Sequence, residues 1–139
     1  MATIDADRAQ ALVGTVFRAQ GRDAAGLDCV GLVIAACGLP PETVRDDYRL
    51  RGDHRREMIG ALGGRFRKVN FARRRVGDLL LMAVADDQLH LGVLTAAGFV
   101  HADARLRRVV ETPGMPRWPL IAIYRRRAGK GEITWQRSS

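Results

Sequence analysis

The chain has 139 residues, 47% hydrophobic and 27% charged, a balance that fits one globular domain able to bury roughly two-thirds of its unfolded surface. Its net charge of +8 comes almost wholly from arginine and suits an anionic partner such as nucleic acid, a polyanionic wall polymer or an acidic protein. No apolar run approaches the ~20 residues that span a bilayer, which argues against membrane insertion, and 6% aromatic residues are too few for a base-stacking platform.

The N-terminus, Met-Ala-Thr-Ile-Asp-Ala-Asp-Arg, is acidic and patterned like a helix start, so no secretory signal is expected. Thr3 or Asp5 can cap a first helix over residues 5–20, with Ala9, Leu12, Val13, Val16 and Phe17 as its apolar face. Gln20-Gly21 ends it, and a loop over residues 22–26 leads to a second helix over residues 28–37. That helix is apolar almost all round, which predicts burial on most sides, and Gly38 followed by Pro40 and Pro41 stops it. Residues 41–70 are more polar. They are expected to hold a helical turn over 42–48, a helix over 53–62 and the start of an extended segment at Phe66 and residues 69–71.

From Gly77 the pattern turns to β. Strands are expected over residues 79–84, 89–95, 99–103, 107–111 and 120–124, in an antiparallel meander of about five. Helices first and strands after, joined by short hairpins, predict an α+β fold with N-terminal helices packed on the sheet. Residues 1–125 read as a single domain and residues 126–139 as a basic tail, from which Ile133 and Trp135 can dock.

The stretch Gly-Leu-Asp-Cys-Val-Gly-Leu-Val, residues 26–33, concentrates the chemistry. Asp28 can cap the second helix, which puts Cys29 in its first turn, where free N–H groups and the helix dipole favour a thiolate, the nucleophilic form. The competing reading is a core cysteine on a buried helix. Cys37 lies eight residues further on, about 12 Å away along a helix, too far for a disulfide with Cys29. No cluster of cysteine and histidine has zinc spacing, so neither a metal nor another cofactor is expected.

A cysteine nucleophile needs a base, and histidine is tuned for that task near neutral pH. His54 lies in a polar, arginine-rich stretch and reads as a surface residue, whereas His90 and His101 fall on neighbouring strands. If the hairpin between them has an even loop, such as Ala96-Ala97, His101 sits opposite Gly92 or His90 and shares a face with His90. Gly92 would then keep that patch open. An odd loop would put the two rings on opposite faces. With the even loop, His90 is the base, His101 orients it, and the Cys29 N–H is an oxyanion donor.

In order, Asp-Cys-Val-Gly-Leu-Val at 28–33, Gly-Asp-Leu-Leu-Leu at 77–81, Leu-His-Leu-Gly-Val-Leu at 89–94 and Phe-Val-His-Ala at 99–102 resemble the NlpC/P60 cysteine peptidases. The likeness runs over residues 5–124 and is strongest to the short phage-type branch, including members encoded in gene transfer agent clusters. It implies a papain-like α+β fold and cleavage of peptide bonds in peptidoglycan stem peptides. It also implies Cys29 as nucleophile, His90 as general base and His101 as the orienting third residue. Val30 stands where most members have serine. Phe17 stands where many have a tyrosine beside the nucleophile, so with Asp28 and Gly92 it is a candidate for the substrate pocket. The resemblance implies phage-like tail or hub proteins as partners and action in the periplasm or cell wall of a target cell, after synthesis in the cytoplasm. A thiol amidase of CHAP type and a non-catalytic tail component are the competing readings. Nucleic acid is a distant third, because the arginine clusters (55–56, 73–75, 107–108, 125–127) are scattered.

Overall fold

The structure, a computed structural model, describes residues 3–19, 21–23, 26–39, 64–85 and 88–127. The helices expected over 42–48 and 53–62, His54, Ile133 and Trp135 lie outside the described residues.

Helix α1 spans Thr3–Ala11 and helix α2 spans Cys29–Ala36, and between them β1 (Arg22–Asp23) and β2 (Gly26–Leu27) pair as a short antiparallel ribbon. The ribbon replaces the plain loop expected over 22–26. Beyond α2 come β3 (Phe66–Val69), β4 (Leu79–Ala85), β5 (Gln88–Leu94), β6 (Gly98–Asp103), β7 (Arg108–Pro113) and β8 (Leu120–Arg126). These form a six-stranded sheet in the order β3-β8-β4-β5-β6-β7, antiparallel throughout, so the fold is α+β as the sequence implies. The expected five-stranded meander holds only from β4 to β7. The sixth strand, β3, pairs outside β8, and β8 returns to lie beside β4 instead of beside β7.

Side chains alternate across the pleat, so the sheet has two apolar faces. Leu79, Leu81, Leu89, Leu91, Val93, Val100, Ala102, Val109 and Tyr124 point toward α2 and form the larger core with Leu27, Leu32, Val33 and Ile34. Each fully buried aliphatic side chain there contributes about 2 kcal/mol. Leu80, Met82, Leu94, Phe99 and Ile123 point the other way and pack against Val69, Trp118 and Leu120. Burial on both faces explains the unbroken apolar run at the start of β4.

The first helix is shorter than its periodicity implies. Gly14 adopts φ +97°, outside the helical region, and the next residues run extended along the edge strand β7. The Gly14 N–H donates to Val109 O at 2.8 Å, Val109 N–H to Thr15 O at 2.8 Å and Phe17 N–H to Arg107 O at 3.0 Å. Val13 and Val16 are therefore exposed instead of lining a helical face. The same segment reaches the start of α2, because Leu27 N–H donates to Val16 O and Arg18 N–H to Leu27 O. It ties the sheet edge to the turn that carries Asp28 and Cys29.

Helix α1 starts at Thr3, so Asp5 lies inside its first turn and forms an ion pair instead of a cap. Asp5, 5% exposed, accepts Arg126 Nε at 2.9 Å and Nη2 at 3.1 Å, joining α1 to β8. β8 thus includes Arg126, the first residue assigned to the tail. Asp78 is fully buried and accepts Arg125 Nε at 2.8 Å, Arg125 Nη2 at 2.9 Å and Arg75 N–H at 2.7 Å. Removing one side of a buried pair strands the other charge. Arg125→Met is therefore expected to lower the unfolding free energy by about 3 kcal/mol in urea titration, whereas Met at the exposed Arg117 leaves the midpoint within error. Equal midpoints for the two variants would show that the Asp78 pair adds nothing.

Candidate functional site

Helix α2 begins as the sequence predicts. Asp28 is extended (φ −101°, ψ −170°), fully buried, and its Oδ1 accepts the Gly31 N–H at 2.8 Å. This is an N-cap, and it fixes Cys29 as the first helical residue. Gly31 is needed for a second reason: a Cβ there would run into the Gly21 carbonyl, so the loop before β1 can lie against the first turn of α2 only over a glycine. Cys29 itself is 7% exposed, and Cys37 packs at the helix end; both are free thiols, as their spacing requires.

The hairpin between β5 and β6 resolves the question of loop parity. Thr95 N–H donates to Gly98 O at 2.8 Å around a two-residue turn at Ala96 and Ala97, and the register pairs Gly92 with His101. Both imidazoles therefore share the face opposite α2. His90 Nε2 and His101 Nδ1 are 2.9 Å apart, with the rings nearly perpendicular at 87°. The chain of contacts continues, because His101 Nε2 lies 2.9 Å from Thr112 Oγ1. Phe99 stacks on His101 at 4.7 Å, and Trp118 stands edge-on to His90 at 5.5 Å and to His101 at 5.7 Å.

Three of these residues carried no signal in the sequence reading. Thr112 lies one residue beyond the strand expected over 107–111, yet β7 runs to Pro113 and sets Thr112 opposite Phe99, diagonal to His101. Trp118 lies on the crossover from β7 to β8, whose path follows from the sheet order. Phe99 was visible as a strand residue and as part of the Phe-Val-His-Ala motif, but not as the residue that stacks on His101. Gly92 does not hold a patch open: a Cβ there would stand 3.1 Å from Phe99 Cδ2 and 3.4 Å from Met82 Cε. It lets Phe99 settle onto the sheet and brace the His101 ring.

Cys29 approaches this pair from the helix side. The β5–β6 ladder opens beyond Gly92 and His101, and the Leu91 N–H is directed at the Cys29 sulfur together with the N–H groups of Val30 and Cys29. The sulfur thus lies against the residue that follows His90, at the point where the two strands part. Among the described residues no hydrogen bond joins it to either imidazole. Phe17 is half-buried, bridged to Leu27 and packed against the same core.

Electrostatics alter the expectation for the thiol. Burial, then the Asp28 carboxylate, push the Cys29 pKa up to about 12 against the pull of the three N–H groups. Desolvation therefore outweighs the helix terminus, and the sulfur is a thiol at neutral pH instead of the expected thiolate. Burial, then the neighbouring His101, lower His90 from 6.5 to about 4 against the pull of Asp103. Burial lowers His101 as well, opposed by the same carboxylate. His90 is therefore neutral above pH 5, and burial biases His101 toward the neutral form as well. Among the described residues no group of three or more His, Cys, Asp or Glu side chains could hold a metal ion.

With this geometry, the fold is that of NlpC/P60 domains. The structure matches NlpC2 from Trichomonas vaginalis with a TM-score of 0.63 at 15% identity, over 87% of this chain and 46% of that one. It matches the NlpC/p60 domain of the peptidoglycan hydrolase SagA with a TM-score of 0.55 at 18% identity, over 81% of this chain and 89% of that one. The peptidoglycan hydrolase RipB from Mycobacterium tuberculosis gives a TM-score of 0.60 at 19% identity, over 90% of this chain and 63% of RipB. This chain therefore spans less than half of NlpC2 and under two-thirds of RipB. No protein-family model and no curated protein matches the sequence.

A histidine that folding holds neutral takes up a proton only when the chain unfolds, so its contribution to stability is full above pH 6.5 and is lost as pH falls toward 4. Urea midpoints are expected to fall over that window, with His90 responsible for an effect on the order of 3 kcal/mol. His90→Gln should flatten the difference. An identical pH slope in both proteins would mean that His90 is not held neutral.

Proposed function

We propose that this protein is a cysteine peptidase that hydrolyses the stem peptides of peptidoglycan. The observation that carries the reading is the hydrogen-bonded His90–His101 pair, set where β5 and β6 part and where the capped start of α2 presents Cys29. Its occurrence on an NlpC/P60 fold, shared with the peptidoglycan hydrolases SagA and RipB, supports the choice of substrate.

In this reading Cys29 is the nucleophile. Nε2 of His90 is engaged with His101, which leaves Nδ1 to take the thiol proton as the sulfur adds to the scissile carbonyl. The N–H groups of the first turn of α2 stabilise the oxyanion, and Asp28 holds that turn in place. His90 then protonates the leaving amine, and a water molecule, activated by the same nitrogen, hydrolyses the thioester. His101 orients His90. Phe17, Asp28 and Gly92 contribute to the site as packing and capping residues. Because the thiol is not ionised beforehand, proton transfer accompanies attack, and the low basicity of His90 makes the step demanding.

The wider reading is that a phage-like tail or a gene transfer agent delivers the enzyme, and that it acts locally in the periplasm or wall of the target cell beside tail or hub proteins. The resemblance of the four motifs to the phage-type branch supports it, and a net charge of +8 suits a polyanionic wall. A second reading, a catalytically silent component of such a particle, draws on the buried, protonated sulfur.

Purified sacculi digested with the protein should release fragments whose new termini, identified by mass spectrometry, lie within the stem peptide. Release of intact stem peptides would indicate an amidase instead. Cys29→Ala and His90→Ala should each reduce hydrolysis by at least a thousandfold, with the fold retained by circular dichroism; full activity in both would refute the assignment. The pH profile is a separate check. Protonation of His90 removes the base, so kcat/KM should fall below about pH 4 and stay level through pH 9. An alkaline limb near pH 8 would instead mean a preformed thiolate–imidazolium pair.

A further inference from the structure

We propose that Thr112 is a positioning residue that fixes the tautomer of the two histidines, its hydroxyl oxygen accepting the Nε2–H of His101. The inference rests on the proposed role of His90 as base. His101 is 2% exposed, with Phe99 stacked on its ring and Trp118 at its edge. Its two nitrogens have distinct partners, His90 Nε2 on Nδ1 and Thr112 Oγ1 on Nε2, each at 2.9 Å.

Two neutral proton arrangements satisfy this chain. In the first, His90 Nε2–H donates to His101 Nδ1 and His101 Nε2–H donates to Thr112, which leaves Nδ1 of His90 as a lone pair. In the second, the threonine hydroxyl donates to His101 Nε2 and His101 Nδ1–H donates to His90 Nε2, which places a proton on Nδ1 of His90. Only the first leaves His90 a nitrogen free to take a proton from Cys29. The first is also favoured chemically. It gives both rings the Nε2–H form that neutral imidazole ordinarily prefers, and it asks the hydroxyl oxygen, with two lone pairs, only to accept. The burial that favours the neutral form of both rings makes the choice of tautomer matter. Thr112 is thus the terminal acceptor of a three-membered relay, and it acts on His90 only through His101.

Long-range 1H–15N correlation spectra of histidine-labelled protein read the tautomers directly and need no substrate. In the wild type, His90 and His101 should both show the Nε2–H pattern at pH 7. Thr112→Val should shift His101 toward Nδ1–H or a mixture, and Thr112→Ser should restore the wild-type pattern. In sacculus hydrolysis, Thr112→Val should lower kcat on the order of tenfold to a hundredfold with KM little changed, and Thr112→Ser should recover most of it. An Nδ1–H pattern at His101 in the wild type would overturn the proposal, as would unchanged tautomers in Thr112→Val. If Thr112→Val does not fold, the wild-type and Thr112→Ser spectra decide. The two levels remain separable: full activity in Cys29→Ala would defeat the peptidase reading and leave the tautomer result standing.

Discussion

A buried carboxylate sets the geometry on which the rest of the site depends. Asp28 has no exposed surface, caps α2 through the Gly31 N–H, and fixes where the helix begins, hence where Cys29 emerges. The same charge raises the thiol pKa, second only to burial. Capping and ionisation therefore pull in opposite directions at one residue. A helix start in open solvent would favour a thiolate, but here dehydration of the sulfur is the larger effect. The N–H groups of Leu91, Val30 and Cys29 offset only part of it.

That cap would be of little use if the helix could drift over the sheet. Two devices hold it. The extended segment at residues 14–18 bonds to β7 on one side and to Leu27 on the other, so the sheet edge and the helix start move together. The Gly21–Gly31 contact brings the backbone before β1 against the first turn, closer than any side chain allows. On the far face, the crossover into β8 carries Trp118 onto the histidine pair, and Phe99 presses on His101 through the space above Gly92. The rings are braced by aromatic packing as well as by hydrogen bonds.

Among the described residues the arginines play different roles. Arg125 and Arg126 are structural, each closing a fork on a buried aspartate, Asp78 and Asp5. Arg74 lies over the Phe71 ring at 3.9 Å. Arg105, Arg107, Arg108 and Arg117 are among the exposed arginines that contribute to the basic surface. A run of arginines in this chain is therefore not a single feature, and its charge does not all face an external partner.

What the sequence determined by itself was local. The Asp28 cap, the buried helix after it and the four strands from β4 to β7 follow from side-chain period and capping chemistry, which act over a few residues, whereas the register that pairs Gly92 with His101 was open until the two-residue turn fixed it. The tertiary structure decided what depends on partners distant in the chain. Helix α1 stops early because Gly14 and Phe17 find carbonyls on β7 and just before it, at Val109 and Arg107, about ninety residues away, and those bonds outweigh an amphipathic pattern. Thr112 and Trp118 reach the histidines only because β7 extends and β8 crosses back. The protonation of Cys29 could not be read from its place at a helix start, since the water excluded from a buried sulfur is a property of everything packed around it.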